Sequence, residues 1–375
     1  MKRLDEYFKK KTKNLSFIEI KPNSYVDIKG YKVGPETPLP LVLDELVKEI
    51  QEGKAQDEVN FATVINGIIY TIGVDPKFKH LEEYKKILYN YDFRIEEFIL
   101  YNGLKKVNEG HLEDGLVWLR ALYIINKRNL MGSYNYALAL GERAKEAYTL
   151  KDNNLGDVFL TTSTSIMEEI LDMDPNFSLA YYKLGYHYKT YKQYKKSQLI
   201  WQKYLRLGDD EALLQDVRDS LEEIEDDVIY EEGYNEILNG RPDIGLEKLL
   251  PLSERYNNWW NLHFMIGLGY RQLGEFQNAK LHFQKVIEVN PKQADAFNEL
   301  GLCLAYMGNF EDAIESFSKG IDLKPNDYEI ICNRGMAYIQ VNDIENAKKD
   351  INKAYNINPN DEITIACKNE LEKYM

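Results

Sequence analysis

The sequence predicts an all-α fold, a right-handed solenoid of helical repeats that carries a small N-terminal region of mixed or irregular structure. Two observations lead to this fold class. Small residues, large apolar residues and a proline recur every 34 residues towards the C-terminus. In addition, 375 residues exceed what one compact core usually holds, which favours several domains or a quasi-linear array. The recurring positions are Gly267, Gly301 and Gly335, Ala279, Ala313 and Ala347, and Pro291, Pro325 and Pro359.

Each 34-residue unit is predicted to be a pair of helices joined by a tight turn. A small residue on each helix permits close approach, so Gly267 is expected to meet Ala279, and Tyr270 or Phe283 to fill the seam with the next unit. Pro291 ends the second helix, because proline lacks an amide N–H and clashes with the preceding turn. Since one such pair cannot bury its own apolar face, the units are expected to stack.

The three units between about 260 and 361 resemble the tetratricopeptide repeat family. The same frame, extended backwards, gives units that begin near 226, 178, 130 and 96, with a 14-residue insertion at 212–225. The sequence therefore predicts two regions. Residues 1–92 form an N-terminal region of short strands and helices, and residues 93–375 form a solenoid of about seven repeats that ends in a capping helix at 362–375.

The N-terminal region does not repeat clearly, so its elements are predicted from local patterns. Alternating apolar residues predict extended segments, proline and glycine predict a loop, and apolar residues at helical spacing predict helices. The predicted segments are strands at Ser16–Ile20 and Tyr25–Ile28, a loop at Lys32–Pro40, and helices at Leu41–Ile50, Asn60–Ile72 and His80–Tyr91.

Composition excludes several classes of protein. With 47 Lys and Arg against 61 Asp and Glu, the formal net charge is −14, so the surface as a whole would repel nucleic acid and anionic membranes. No stretch offers the roughly 20 apolar residues that span a bilayer. The three cysteines have neither disulfide-framework nor zinc-site spacing, which favours a reducing, cytoplasmic setting. The cysteines are Cys303, Cys332 and Cys367.

Catalysis is not expected. The sequence contains no phosphate-binding loop, hydrolase elbow or metalloprotease motif, and its five histidines are dispersed. Adjacent carboxylates such as Glu168 and Glu169 are predicted to be solvated helix faces, because neighbours in a helix do not face each other. We therefore expect no enzyme activity, no cofactor and no metal site.

The resemblance implies where a binding site would lie. In tetratricopeptide repeats the first helix of each unit lines a concave groove, and two positions four residues apart point into it. An exposed apolar strip of this kind marks an interaction site. Transferred by frame, the predicted peptide-binding groove consists of Tyr182, Tyr186, Tyr230, Tyr234, Phe264, Leu268, Asn298, Leu302, Cys332 and Met336.

Two occupants of this groove stay open at the sequence level. One is a peptide or amphipathic helix of a partner, and the other is the chain itself, through its N-terminal segment or the 14-residue insertions of the two longer units. The dicarboxylate clamp of chaperone co-factors in this family needs Lys and Asn at the inward positions. Here the matching positions hold Phe264, Leu268, Asn298 and Cys332, so recognition of an acidic chaperone tail is not supported.

A basic stretch forms a second candidate site. Between Asp174 and Asp209 there is no acidic residue, and seven Lys and Arg alternate with tyrosines. Such a stretch suits RNA or another anionic partner, although the acidic residues that follow could neutralise it within the solenoid. The proposed anionic-partner patch is Lys183, Lys189, Lys192, Lys195 and Lys196.

The function predicted from these features is that of an interaction scaffold or adaptor that binds a partner peptide or helix in the groove. Two alternatives are a peptide-responsive bacterial regulator and the binding of RNA or another anionic partner through the unit at 178–208. The first alternative departs from the regulators it resembles, since no helix-turn-helix DNA-binding domain is recognisable.

Overall fold

The computed structural model describes residues 2–51 and 60–374. The chain packs as two compact units, an N-terminal unit at Met1–Arg218 and a C-terminal unit at Asp219–Met375. Both are all-α apart from four short strands near the N-terminus. The division of the chain into residues 1–92 and 93–375 stays a prediction.

The N-terminal region begins with a helix that no sequence pattern had indicated. Helix α1 covers Lys2–Lys9, and a 3-10 helix follows at Lys10–Asn14. Leu4 and Phe8 of α1 are fully buried in the core that the first repeats share. Arg120 of a later helix reaches back to this segment: its guanidinium donates to Asp5 and lies 4.5 Å from the ring of Phe8.

The expected strands exist, but the predicted loop at Lys32–Pro40 also contributes to two strands. β1 (Leu15–Ile18) pairs antiparallel with β4 (Leu39–Val42), and β2 (Val26–Ile28) pairs with β3 (Tyr31–Val33). All four residues of β4 are buried. Burial of β4 against α3 therefore outweighs the turn preference of Pro38 and Pro40. Proline is tolerated in β4 because this strand pairs along one edge only.

Three helices complete the N-terminal region, close to their predicted bounds. They are α2 (Leu43–Gln51), α3 (Phe61–Val74) and α4 (Leu81–Tyr91). Helix α3 is almost entirely apolar, with a buried run from Thr63 to Ile65 and from Gly67 to Val74. A helix that is apolar on all sides must be covered on all sides, and α3 packs against β4, α4 and α6.

The rest of the chain consists of helical pairs, as the 34-residue period predicts. In each pair the first helix packs against the second, and within each compact unit the second helix packs against the first helix of the next pair. The pairs are α5 (Ile95–Asn108) with α6 (Leu112–Ile125), α7 (Leu130–Thr149) with α8 (Asn153–Met173), α9 (Ser178–Thr190) with α10 (Tyr194–Leu207), α12 (Glu225–Leu238) with α13 (Pro242–Arg255), α14 (Trp260–Gln272) with α15 (Phe276–Val289), α16 (Ala294–Tyr306) with α17 (Phe310–Leu323), and α18 (Tyr328–Gln340) with α19 (Ile344–Ile357).

The turn inside each pair places one residue in the left-handed region. This residue lies two positions after the end of the first helix, with φ between 57° and 85° in all seven pairs. Glycine adopts this conformation without strain, and it stands there in four of the seven pairs. The seven residues are Gly110, Lys151, Lys192, Gly240, Gly274, Gly308 and Asn342.

Two further helices lie outside the pairs. The insertion predicted at 212–225 is the helix α11 (Glu211–Glu223), and the chain ends in α20 (Glu362–Glu372). Cys367 and Leu371 of α20 are buried against the last pair, while Ile363 and Ile365 stay exposed. This is the arrangement expected of a helix that covers the open end of a repeat array.

The recurring glycines do not meet the recurring alanines, as had been expected for Gly267 and Ala279. The position of a Cβ on Gly267 would lie 2.8 Å from the ring of Phe283, and that on Gly301 would lie 2.5 Å from the ring of Phe317. The aromatic residue one turn beyond Ala279 or Ala313, and not the alanine, lies closest to the glycine. The glycine therefore makes room for a ring within its own pair.

Candidate functional site

The predicted strip of the C-terminal unit lies on the first helices α14, α16 and α18, and it is partly open to solvent. Phe264, Leu268, Asn298, Leu302 and Met336 are each partly exposed. Phe264 and Leu268 pack at the edge of two apolar clusters, and Leu302 and Met336 pack at the edge of a third. The strip is therefore an apolar surface that rests on the core.

A pocket opens between α16 and α18, beside Leu302 and Met336 of the strip. Its volume is about 230 Å³. That is far more than one water needs, at about 30 Å³, and less than the roughly 300–1,000 Å³ of sites for whole small molecules. A single large side chain fits this range better than a cofactor does. The lining residues are Leu302, Ala305, Tyr306, Phe310, Phe317, Asn333, Met336, Ala337 and Gln340.

The rim of this pocket offers polar groups in fixed positions. The amide of Asn333 donates to Oδ1 of Asn298 over 2.9 Å, so two adjacent first helices present paired side-chain amides. Tyr306 is 63% exposed and stacks on Phe276 with ring centroids 4.7 Å apart. Neither Tyr306 nor Asn333 was among the groove residues predicted from the sequence. Tyr306 could have been predicted from its spacing, since it follows Leu302 by four residues and shares its helix face.

Cys332, which the frame places in the groove, is a correction. Its side chain is fully buried and lies against Cys367 of α20. The hydrogen bond with Cys367 and burial raise the pKa of the Cys332 thiol well above its usual range. Because α20 covers this end of the last pair, Cys332 is a core residue that no partner can touch directly.

Tyr230 and Tyr234 lie on α12 and belong to an aromatic cluster. The ring of Tyr230 lies 4.7 Å from that of Trp259 and 6.2 Å from that of Tyr234. Burial raises the pKa of Tyr230 to about 12. Tyr234 is the more exposed of the two, so it is the member of this pair that a ligand could contact.

In the N-terminal unit the predicted pair Tyr182 and Tyr186 contacts another part of the chain. Both phenol groups donate hydrogen bonds to Oδ2 of Asp216 on α11, and the distance from Tyr182 is 2.7 Å. These two bonds, that of Tyr186 first, lower the pKa of the Asp216 carboxyl. The inserted helix α11 thus contacts the strip at this repeat through Asp216, while both tyrosines stay partly exposed.

The N-terminal segment is the other part of the chain that was considered as an occupant of the groove. Its strands pack on α3 and α4: Tyr84 Oη donates to the carbonyl of Pro38 over 2.7 Å, and Tyr31 Oη donates to Glu83 over 2.5 Å. Helix α1 meets α6 and α8, the second helices of their pairs, for example through Tyr7 and Phe159 with ring centroids 5.1 Å apart. The helices in these contacts, α3, α4, α6 and α8, carry no residue of the predicted groove.

The basic patch is partly engaged within its own unit. Nζ of Lys196 lies 3.6 Å from Glu168 and 3.9 Å from the ring of Tyr188, and Lys195 donates to Gln198. Lys183 is half-buried, and burial lowers its pKa. Lys189 is half-buried and Lys192 is exposed in the turn of its pair. The role of these five lysines towards an anionic partner stays a prediction.

Across residues 2–51 and 60–374, no helix is both long and apolar enough to cross a membrane. Within those same ranges, His, Cys, Asp and Glu form no group of three or more that could hold a metal ion.

Comparison with known proteins supports the repeat assignment. Models of the tetratricopeptide repeat match residues 261–293, 294–327 and 328–361. A search of curated protein sequences returned no match. These three ranges coincide with the pairs α14–α15, α16–α17 and α18–α19.

Solved structures with similar folds include other repeat proteins. The Cut9–Hcn1 hetero-tetramer of the APC/C is 14% identical over 88% of this chain and 67% of that one, with a TM-score of 0.41. YrrB, described as a TPR protein with an unusual peptide-binding site, is 18% identical over 67% of this chain and 97% of that one, with a TM-score of 0.29. PilW, a type IV pilus biogenesis factor, is 16% identical over 61% of this chain and 97% of that one, with a TM-score of 0.40.

At these identities and TM-scores, neither the partners nor the tasks of those proteins transfer to this chain. The three matched ranges are tetratricopeptide repeats, so residues 261–361 of this chain are an array of that family's repeat.

Proposed function

We propose that this protein is a non-enzymatic interaction scaffold that binds a peptide or helix of a partner protein along the first helices of its C-terminal unit. One observation carries the proposal: α14, α16 and α18 present a partly exposed apolar strip with an open pocket, and paired amides stand at its rim. Apolar anchors with a few fixed polar groups are the usual make-up of a recognition site.

The strip suits an extended or helical segment better than a small molecule. Leu268 of α14, Leu302 of α16 and Met336 of α18 hold the same place in three successive repeats, so they repeat along the array at the spacing of the units. A chain segment laid across the helices meets them in turn, and the amides of Asn298 and Asn333 can bond its backbone.

The experiment replaces two strip residues by Asp and compares how much partner protein the variant and the wild type capture from a lysate of the source cells. We expect Leu268→Asp together with Met336→Asp to reduce the captured partners by about tenfold or more, because each buries a charge under the bound segment. The matched control is Leu281→Asp with Leu273→Asp, since both leucines are exposed and lie outside the strip. Circular dichroism verifies that both variants fold. An unchanged partner set for the strip variant would contradict the proposal.

A further inference from the structure

Two of the three cysteines meet where helix α20 packs against the last repeat. Cys367 lies on α20 and Cys332 on α18, and the two thiols are hydrogen-bonded to each other. Both residues belong to one apolar cluster, in which Cys332 is 0% and Cys367 7% exposed. They are 35 residues apart in the chain. Two thiols in contact need only a small shift of α20 to reach the separation of about 2 Å between the sulfurs of a disulfide.

The third cysteine shows that a buried thiol in this protein need not have such a neighbour. Cys303 of α16 is also fully buried, but it packs in a different cluster, with Ala279 and Phe283. Burial raises the pKa of its thiol to about 12, and the charged groups beside it are Glu299 and Arg271. Cys303 therefore fits the usual role of a buried cysteine as a small apolar residue, whereas the other two form a pair.

Helix α20 is the part of this contact that can open. It packs against α18 and α19, and three of its eleven residues are buried, namely Thr364, Cys367 and Leu371. Its apolar residues Ile363 and Ile365 are 42% and 40% exposed. A helix with so few buried side chains opens locally at a lower free energy than a core helix does. Such opening gives a soluble reagent access to Cys367.

The two cysteines differ in reactivity. The hydrogen bond that Cys332 donates to Cys367 lowers the pKa of the Cys367 thiol, and the same bond raises the pKa of Cys332. Cys367 also lies on the helix that opens. Since the thiolate and not the thiol attacks a disulfide, Cys367 is the attacking group and Cys332 the group that resolves the intermediate.

We propose that Cys332 and Cys367 are a redox pair whose reversible disulfide fastens α20 to α18. The Cys367 thiolate attacks one sulfur of a small-molecule disulfide, oxidised glutathione, which forms a mixed disulfide and releases one glutathione thiolate. Cys332 then loses its proton to solvent and attacks the Cys367 sulfur, and the second glutathione leaves as a thiolate. Two protein thiols are oxidised to one disulfide, and oxidised glutathione is reduced to two glutathione molecules.

The bond has a consequence for the predicted groove, although the inference does not depend on the scaffold function. Cys332 stands at a groove position one helical turn before Met336, and α20 covers it. In the reduced protein each opening of α20 uncovers this position. In the oxidised protein the cross-link keeps it covered.

The test incubates the folded, full chain in buffers of stepped ratios of reduced to oxidised glutathione. Mass spectrometry of an unreduced tryptic digest then locates the disulfides. We expect a peptide pair linked through Cys332 and Cys367 that disappears on addition of dithiothreitol. Hydrogen exchange of α20 should slow about tenfold or more in the oxidised protein, because a cross-link restricts the open state.

Three variants assign the reaction, and each replaces a buried thiol by a small apolar residue. Cys332→Ala should stop the reaction at the mixed disulfide of glutathione with Cys367. Both Cys332→Ala and Cys367→Ala should make the exchange of α20 independent of the glutathione ratio. The matched control is Cys303→Ala, which should still form the linked pair. Circular dichroism verifies that all three variants fold.

The linked pair must form in the folded protein. Its absence at every glutathione ratio, or its appearance only in urea, overturns the inference. Disulfides that involve Cys303 as often as Cys332 and Cys367 would indicate unselective oxidation and overturn it as well. If the linked protein forms and α20 exchanges as fast as before, the bond does not fasten α20 and the inference fails.

Discussion

Single residues set how closely the chain packs, and two glycines show this at opposite extremes. A Cβ on Gly67 of α3 would lie 2.0 Å from the carbonyl oxygen of Pro40, a backbone atom that cannot move aside. A Cβ on Gly141 of α7 would meet only Ser163 Oγ, at 3.8 Å. The first glycine is required by the contact of α3 with β4, whereas the second only weakens its helix.

We therefore predict opposite effects of the same substitution at these two positions. Gly67→Ala should lower the free energy of unfolding by about 1–3 kcal/mol, as overpacking does. Gly141→Ala should raise it by about 0.5–1 kcal/mol, because alanine favours the helix. Urea unfolding of both variants measures the two shifts. A Gly67→Ala protein as stable as the wild type would show that α3 and β4 do not touch.

At the scale of elements, one carboxylate of the inserted helix α11 contacts the predicted strip. Asp216 accepts hydrogen bonds from Tyr182 and Tyr186, and the ring of Tyr186 packs edge-on against Trp201 at 4.8 Å. Bonds to a charged acceptor are stronger than neutral ones. They restrain the two phenol groups, which are otherwise partly exposed.

Loss of this charge should expose the tyrosines. We expect Asp216→Asn to increase nitration of Tyr182 and Tyr186 by tetranitromethane severalfold, as located by mass spectrometry, because the neutral amide is a weaker acceptor for two phenol groups. Asp209→Asn, in the exposed turn before α11, serves as the matched control and should leave their nitration unchanged. Equal nitration of Tyr182 and Tyr186 in all three proteins would mean that Asp216 does not restrain the two phenol groups.

For the whole molecule, the distribution of charge distinguishes the two units. The C-terminal unit carries the entire −14, and like charges within it repel one another. Its surface ion pairs, such as Lys324 with Asp295 at 2.6 Å, offset little of this, because exposed pairs contribute at most about 1 kcal/mol each. Self-repulsion is therefore concentrated in residues 219–375.

Salt should stabilise that unit selectively. Raising NaCl from about 20 mM to about 500 mM shortens the screening length severalfold. We expect hydrogen-exchange protection to rise more in residues 219–374 than in residues 2–51 and 60–218. Potassium chloride at the same ionic strength is the control for an ion-specific effect. Equal gains in both units would contradict a charge-based difference between them.

The 34-residue period of Gly, Ala and Pro is enough to predict paired helices, because each unit repeats the same small residues and the same helix stop. The period also puts Leu268, Leu302 and Met336 at equivalent positions, which the resemblance to the repeat family assigns to a groove. Which strip positions a partner can reach follows from contacts in three dimensions. Burial of Cys332 depends on α20, and Tyr182 is hydrogen-bonded to Asp216, 34 residues further along the chain. A local pattern fixes a helix and its faces, but contacts between distant segments determine which face water and a partner can reach.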